Sequence, residues 1–329
     1  MILAGDIGGT KTNLALYKVV DNHLVLNNKE QFASQEYATF SEVIKSFLQQ
    51  CGISSLDALC LGIAGPIING NCRTTNLPWE INSLELRELT QTKNVYLLND
   101  LEATAYGMLY LDESDFIELN PYAKQQDGNR AVIAAGTGLG EAMLFYNGTT
   151  YHPIGSEGGH TDFAPLTEQQ DELLKWLRKR YPEHVSIERI LSGPGIYTLY
   201  EFLKEQGFAK EPQLMISAQS SADKSAIISE CALKHNDALS LETLRLFVEI
   251  YGAEAGNLAL KSLSLGGVYI GGGIAPKILP LLENGNFMKS FVSKGRFESL
   301  LRVMSVKLSI NQETALLGAV NFAKDKLKN

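Results

Sequence analysis

The sequence predicts an α/β protein: a largely parallel sheet covered by helices, with ligand chemistry at the strand ends. Three observations lead there. Short apolar runs alternate with stretches of helical period over residues 2–100, and several of those runs stop at glycine or at a polar pair. A glycine-turn hairpin at Gly9-Thr10, followed by Leu14-Ala15-Leu16-Tyr17, recurs at Gly136-Thr137, followed by Ala142-Met143-Leu144-Phe145-Tyr146. Two duplicated α/β halves facing a cleft would produce that recurrence.

Ile2 and Leu3 enter the first strand, Gly8-Gly9-Thr10 turn, and Leu14 to Tyr17 leave, so a hairpin opens the chain. Phe40, Val43, Ile44, Phe47 and Leu48 then fall on one helical face, with Thr39 and Glu42 as a capping box and Gly52 as the stop. Residues 58–64 read as a buried strand ending at Gly65-Pro66, residues 84–89 after Ser83 as a helix, and residues 95–98 as a second buried strand with Asn99 and Asp100 at its end. The polar stretch 110–130 reads as a domain boundary. Beyond the second hairpin the pattern is mainly helical: residues 173–177 after the capping box of Thr167 and Gln170, then 197–203, 226–233 and 241–263. A strand over 268–270 runs into Gly271-Gly272-Gly273, period-two alternation over 303–310 marks another strand, and a helix over 313–324 returns to cover the first domain. The expected division is a small α/β domain of residues 1–110 with 303–329, and a large one of 111–302.

Composition narrows the function. The 329 residues fit about two domains. With 37 acidic against 29 basic residues, a net charge of −8 and no basic run, nucleic acid and anionic membrane are poor guesses for partners. Four cysteines, Cys51, Cys60, Cys72 and Cys231, are too few and too irregular for a disulfide framework or a metal-ligand pattern, and read as core thiols. The N-terminus, Met-Ile-Leu-Ala-Gly-Asp, has no basic leader, and no apolar run approaches the ~18 residues of a membrane span. The expectation is a soluble cytoplasmic enzyme, with a homodimer the assembly suggested by frequency alone.

The sharpest local signal is Asp6-Ile7-Gly8-Gly9-Thr10-Lys11-Thr12 between two strands. Glycines remove Cβ obstruction, successive N–H groups converge on an anion, and Thr10 adds a hydroxyl. It is neither a Walker A loop nor a GxGxxG turn, and a plain hairpin turn is the competing reading. Gly136-Thr137-Gly138-Leu139-Gly140 and Gly271 to Gly273 tilt the balance toward a nucleotide cradle made of three glycine loops. Asn99-Asp100 reads either as a helix N-cap or as a carboxylate at a crevice, able to take the proton of an attacking hydroxyl. Glu157 and His160, three apart on the glycine-rich segment Gly155-Ser156-Glu157-Gly158-Gly159-His160, suit the paired hydroxyls of a polyol better than a metal. Glu188 alone reads as an exposed helix residue or an ion pair with Arg189.

Together these stretches resemble the bacterial glucokinases of the proteobacterial type. The resemblance covers essentially the whole chain: Gly5-Asp6-Ile7-Gly8-Gly9-Thr10, Thr75-Asn76-Leu77-Pro78-Trp79, Asn99-Asp100, Gly136-Thr137-Gly138-Leu139-Gly140, Glu157 to Pro165, Glu188-Arg189-Ile190-Leu191-Ser192-Gly193-Pro194-Gly195, Gly271-Gly272-Gly273-Ile274 and Lys294-Gly295-Arg296-Phe297. It implies the actin-like ATPase (ribonuclease H-like) fold, with a cleft between a small and a large α/β domain. It also implies ATP and glucose as substrates, with Mg²⁺ on the nucleotide phosphates and no metal site built by the protein alone. Asp100 becomes the general base for the glucose 6-hydroxyl, while Asn99, Glu157, His160 and Glu188 hold the other hydroxyls. Gly5, Asp6, Ile7, Gly8, Gly9 and Thr10 bind the ATP phosphates, Gly136 and Thr137 face them from the second hairpin, and Asp6 is a candidate for holding a metal-bound water.

The related repressor and zinc-containing kinase branch differs, with a cysteine-rich loop and, in its repressors, an N-terminal DNA-binding domain; neither is expected here. One departure from the family pattern is Glu102 in Asn99-Asp100-Leu101-Glu102, an extra carboxylate expected to point away from the sugar. Trp79 is expected in a loop bordering the sugar cleft. A kinase for another hexose or amino sugar, a sugar-responsive regulator and an actin-like polymerising ATPase are the alternatives. Intact Asp100 argues against the regulator, and Glu157, His160 and Glu188 argue against the polymerising ATPase.

Overall fold

A glycine turn and two runs of apolar residues fold the start of the chain into a meander of β1 (Ile2–Ile7), β2 (Lys11–Val20) and β3 (His23–Ala33). The computed structural model describes residues 1–74, 77–219 and 223–328, so Thr75 and Asn76 of the motif at 75–79 lie outside the described residues. In α1 (Phe40–Cys51) the Thr39 side chain accepts the Glu42 N–H, and Gly52, at φ 66°, closes the helix in the left-handed conformation that favours glycine. The other half of the expected box is displaced by one residue, because the Glu42 carboxylate accepts from the Ala38 N–H at 3.1 Å.

The wholly buried β4 (Ala58–Ile63) is followed by a ladder of β5 (Ile67–Ile68), β6 (Asn71–Arg73) and β7 (Glu80–Asn82). Asn82 rather than Ser83 caps α2 (Ser83–Thr90): its Oδ1 accepts from the N–H groups of Leu84 and Glu85, placing Ser83 inside the helix. Next come β8 (Val95–Asn99), α3 (Asp100–Gly107), β9 (Phe116–Glu118), β10 (Arg130–Ala135), β11 (Leu139–Tyr146) and β12 (Tyr151–Ser156). The helices α4 (Glu168–Arg180), α5 (Gly193–Glu205), α6 (Gln213–Ile216), α7 (Lys224–His235) and α8 (Ala238–Ser262) follow. β13 (Val268–Gly271), α9 (Leu279–Leu282), α10 (Asn286–Val292), α11 (Glu298–Leu301), β14 (Val306–Ser309) and α12 (Thr314–Lys326) complete the described chain.

One strand order is used twice. The first sheet runs β3-β2-β1-β4-β8, and the second runs β12-β11-β10-β13-β14 with β9 added at its edge. In the first, β1 and β2 are antiparallel while β1, β4 and β8 are parallel; in the second, β10, β13 and β14 are parallel. Each sheet thus begins with a hairpin whose first strand starts the parallel set, which is the physical content of the recurrence at residues 10 and 137.

The chain divides into unit 1 (residues 1–115, 142–155 and 311–329) and unit 2 (residues 116–141 and 156–310). In unit 1 both faces of the sheet are covered. Leu3, Ile7, Leu61 and Ile63 join Val43, Phe47 and Trp79 in one core cluster, while Ile2, Ala4 and Cys60 join Leu316, Ala319 and Val320 of α12 in another. Burial on both faces is why β1 and β4 read as continuous apolar runs rather than alternating ones. Unit 2 is organised around α8, which packs against α5, α7, α10 and β10. Cys60, Cys72 and Cys231 are buried free thiols and Cys51 is partly exposed. No helix of the described residues is long and apolar enough to cross a membrane.

Candidate active site

In unit 1 the strand register sets the geometry. Ile7 lies opposite Ile63, and Ile63 opposite Asn99, so the glycine turn, the Ala64-Gly65 bend and Asp100 leave the sheet at one edge. With neighbouring strands about 4.8 Å apart, the chain enters the turn roughly 10 Å from Asn99. The turn is braced from beneath. Gly8 N–H donates to Lys11 O at 2.9 Å, Ser34 N–H donates to Thr10 O at 3.0 Å, and Ser34 Oγ donates to Gly8 O at 2.9 Å. Ser34 has one hydroxyl proton, so the 2.9 Å contact with buried Thr12 Oγ1 is donated by threonine. These bonds hold Gly8, Gly9 and Thr10 in place while Thr10 stays exposed. Gly5 and Ile7 are interior strand residues: Leu61 and Leu14 crowd the space of a Gly5 Cβ, and Ile7 is 1% exposed. Burial pushes the Asp6 carboxyl above the usual range, against a weaker opposing pull from Asn13, whose Nδ2 is 3.4 Å away.

Asn99 and Asp100 stand where β8 gives way to α3. Asn99 Oδ1 accepts the Leu101 N–H at 2.9 Å, its Nδ2 donates to Gly65 O at 3.3 Å, and Asp100 Oδ1 also accepts from Leu101 N–H at 2.9 Å. The cap reading of this pair is met, and the cap orients a half-buried carboxylate at the sheet edge. Glu102, the departure noted in the sequence, completes the capping box by accepting from Asn99 N–H at 2.9 Å, and its other oxygen accepts from Gly155 N–H at 3.1 Å. Both of its oxygens are thereby used.

In unit 2 the opening of β11 acts as a spine. The turn before it closes through Gly136 N–H to Gly138 O at 2.8 Å, and the start of α5 docks on it through Gly193 N–H to Gly136 O at 2.8 Å. Leu139 N–H donates to Glu188 Oε2 at 3.0 Å, leaving Oε1 without a protein partner among the described residues. A Cβ on Gly138 would lie 2.5 Å from that same Oε2. Ile187 N–H donates to Thr161 O at 2.9 Å, tying the Glu188 turn to the His160 turn. Glu157 Oε2 and His160 Nε2 are 3.9 Å apart, each side chain 62% exposed. Ala134 lies opposite Gly271, and Ile274 N–H reaches Ala135 O at 3.3 Å, which sets Gly271 to Gly273 beside Gly136 and Thr137. Unit 2 thus brings together Gly136, Thr137, Glu157, His160 and Glu188; unit 1 brings together Asp6, Gly8, Gly9, Thr10, Asn99 and Asp100.

One local expectation is corrected. Glu188 sits on a short 3-10 turn and serves the β11 backbone, while Arg189 stacks over the Tyr181 ring at 4.3 Å instead of pairing with it. Trp79 lies in the loop before β7, as expected, with its ring buried: it is 1% exposed, tilted against Phe40, and donates Nε1–H to Tyr37 O at 3.1 Å. A large apolar ring next to a proline motif gained more by burial than by exposure. Sequence reasoning missed Ser34, the brace of the first turn, and Glu141, a carboxylate of β11 that is 2% exposed. The only signal for Glu141 was a charged residue inside an otherwise apolar strand.

Comparison with known proteins follows this geometry. The glucokinase family profile matches residues 3–326. The glucokinase of Nostoc sp. (strain PCC 7120) is 40% identical over 334 residues, covering 97% of each chain. The crystal structure of a glucokinase from an Antarctic psychrotroph is similar at TM-score 0.85 and 31% identity, over 98% of each chain. A ROK family glucokinase from Streptomyces griseus, solved with glucose and AMPPNP, shares the fold at TM-score 0.64 and 17% identity, over 98% of this chain and 99% of that one.

Proposed function

This chain belongs to the glucokinase family, and on that premise we propose that it transfers the γ-phosphoryl group of ATP to the 6-hydroxyl of glucose, with Asp100 as general base. The observation that carries the assignment is the shared sheet edge: one register level delivers both a glycine turn suited to an anion and an oriented carboxylate. Phosphoryl transfer needs little else from a protein than positioning and charge stabilisation. In this reading the N–H groups of Gly8, Gly9 and Thr10 receive the phosphates, with Gly136 and Thr137 as the second set of contacts. Asn99, Glu157, His160 and Glu188 hold sugar hydroxyls. Glu188 Oε1 is suited to this because Oε2 is already anchored, which fixes the carboxylate before the sugar arrives.

The 6-oxygen attacks phosphorus as the bond from phosphorus to the β–γ bridging oxygen breaks, and ADP leaves with that electron pair. The hydroxyl proton passes to Asp100. A carboxylate, though a weak base, suffices when that proton moves late, as a loose transition state implies. Among the described residues no cluster of three acidic, histidine or cysteine side chains offers a metal site. A lone carboxylate, Asp6, beside the phosphate turn suits Mg²⁺ that arrives on the nucleotide and keeps several waters. Once bound, that ion would offset phosphate charge, and Asp6 would hold one of its waters.

ADP release measured with a panel of hexoses and amino sugars tests the reaction. The decisive variant is Asp100→Asn, which keeps size and polarity: kcat should fall at least ~10²-fold with glucose binding little changed. Turnover above a tenth of the parent enzyme would remove Asp100 from the role of base.

A further inference from the structure

Beneath the turn that carries Glu157 and His160 lies a carboxyl that the proposed reaction does not use. Glu141, on β11, is 2% exposed, and its Oε1 has no hydrogen-bond partner among the described residues. Ser156 Oγ donates to Glu141 O at 2.9 Å, Gly158 N–H reaches Ser156 Oγ at 3.2 Å, and a side chain at Gly158 would overlap Glu141 Oε2. Gly158 is glycine because this carboxyl occupies the space beneath it. We propose that Glu141 is a positioning residue for sugar recognition: its carboxyl is the buried floor of the Ser156 to His160 turn, and its ionisation displaces that turn and weakens glucose binding without affecting ATP.

The surroundings of Glu141 give the direction. Glu157 and His160 belong to the turn above; α8 contributes Tyr251, Glu254 and Lys261. Glu254 accepts from Asn257 Nδ2 at 2.9 Å through Oε2, and its Oε1, without a hydrogen bond among the described residues, faces Lys261 Nζ at 3.6 Å. Behind Asn257, Lys294 Nζ donates to Asn257 Oδ1 at 2.6 Å and to Ala253 O at 2.9 Å. Glu141 has no such support. Desolvation, aided by the Glu254 charge and opposed by Lys261, pushes its carboxyl up to about 7. Below that pH the neutral acid fits the dry site. Above it the carboxylate requires water or a donor, and the turn held over it by Gly158 is the element that must yield. Glu157 precedes Gly158 and His160 follows it by two residues, so the displacement reaches both.

The inference rests on the assignment of Glu157 and His160 to the sugar, and the experiment separates the two. KM for glucose and for ATP is measured from pH 6 to 8.5 for the parent enzyme, Glu141→Gln and Glu254→Gln, alongside amide exchange of residues 156–160. In the parent the glucose KM should rise at least threefold with a midpoint near 7, while the ATP KM stays level. Glu141→Gln, neutral at every pH, should hold the low glucose KM throughout and exchange more slowly than the parent at pH 8. Glu254→Gln should shift the rise to lower pH, because the repelling charge beside Glu141 is gone. A parent-like pH profile in Glu141→Gln overturns the proposal, since the rise would then come from a group other than Glu141. Should that variant not fold, an unmoved midpoint in Glu254→Gln does the same. If the turn responds in exchange while glucose KM is flat, Glu141 positions the turn but the turn does not read the sugar, and the assignment of Glu157 and His160 fails instead.

Discussion

The two glycine hairpins of this chain share a sequence pattern and a place in their sheets, yet they are held in opposite ways. The first is braced by neutral groups: Ser34, reached from the end of β3, and Thr12 on β2. The second is braced by charge: Glu188 accepts from its outgoing strand at Leu139. The contrast continues along the strand. At the same 127-residue spacing that relates Thr10 to Thr137, Leu14 of β2 corresponds to Glu141 of β11, and both are buried. The first hairpin has neutral side chains beneath it; the second has carboxylates built under and beside it, which on the proposed reading suits it to a polyol. A duplicated frame has thus been specialised by the residues around its turns, not by the turns.

Breaking the charged brace should have the largest effect. Glu188→Ala removes the acceptor for Leu139 N–H and, in the proposed reading, a sugar contact, so kcat/KM for glucose should fall on the order of 10² to 10³-fold. Glu188→Gln keeps an oxygen for Leu139 and should lose less, with ATP KM nearly unchanged. Gly138→Ala offers a third probe, because its Cβ would meet the anchored Oε2 of Glu188 at 2.5 Å and not a backbone atom. It should raise glucose KM with little change in thermal stability. Equal losses in glucose and ATP KM across the three variants would reduce Glu188 to a structural brace.

Glu141→Leu makes the second hairpin resemble the first at this position, and its effect on stability is next in size. The Glu141 carboxyl titrates at about 7 when folded, against an ordinary 4.5. A raised carboxylate contributes most below its unfolded value, and that stability is lost as pH climbs through the folded value. The variant should therefore match or modestly exceed the parent near pH 5, gain on it between pH 5 and 7, and level off above 7.5. The difference at the plateau should approach roughly 3 kcal/mol, read from urea unfolding at each pH. A pH-independent difference would mean that packing, not ionisation, separates the two.

What the sequence made legible follows the same line. Glycine turns, the caps at Thr39 and Thr167, and the apolar runs of β1, β4 and β8 are local signals, and each stands where it was expected. β3 was not visible, because an edge strand whose Asn27-Asn28-Lys29-Glu30-Gln31 faces solvent carries little apolar alternation. Strands of two or three residues, such as β5 to β7, give no period to detect. The site was legible as residue types but not as a network. Ser34 lies 26 residues from Gly8, and Glu188 lies 49 residues from Leu139, so only the fold reveals these braces. Glu102 looked like an anomaly until the capping box and Gly155 accounted for both its oxygens.

The smallest expected effect tests the neutral brace. Ser34→Ala deletes the hydroxyl that donates to Gly8 O and receives the Thr12 hydroxyl, and it leaves Thr12 Oγ1 buried without that partner. The Ser34 N–H bond to Thr10 O survives, since it is a backbone bond. Stability should fall by about 1 kcal/mol, the net worth of one neutral hydrogen bond with a little desolvation. The turn keeps its Gly8 to Lys11 closure, so the ATP KM should rise only about two- to fivefold and the glucose KM should not move. Restoring the hydroxyl with Ser34→Thr is the control: it returns the donor, and any remaining loss reports the added methyl group in a fully buried site. If Ser34→Ala raises the glucose KM as much as the ATP KM, the first turn is not a dedicated anion platform, and the division of labour between the hairpins is wrong.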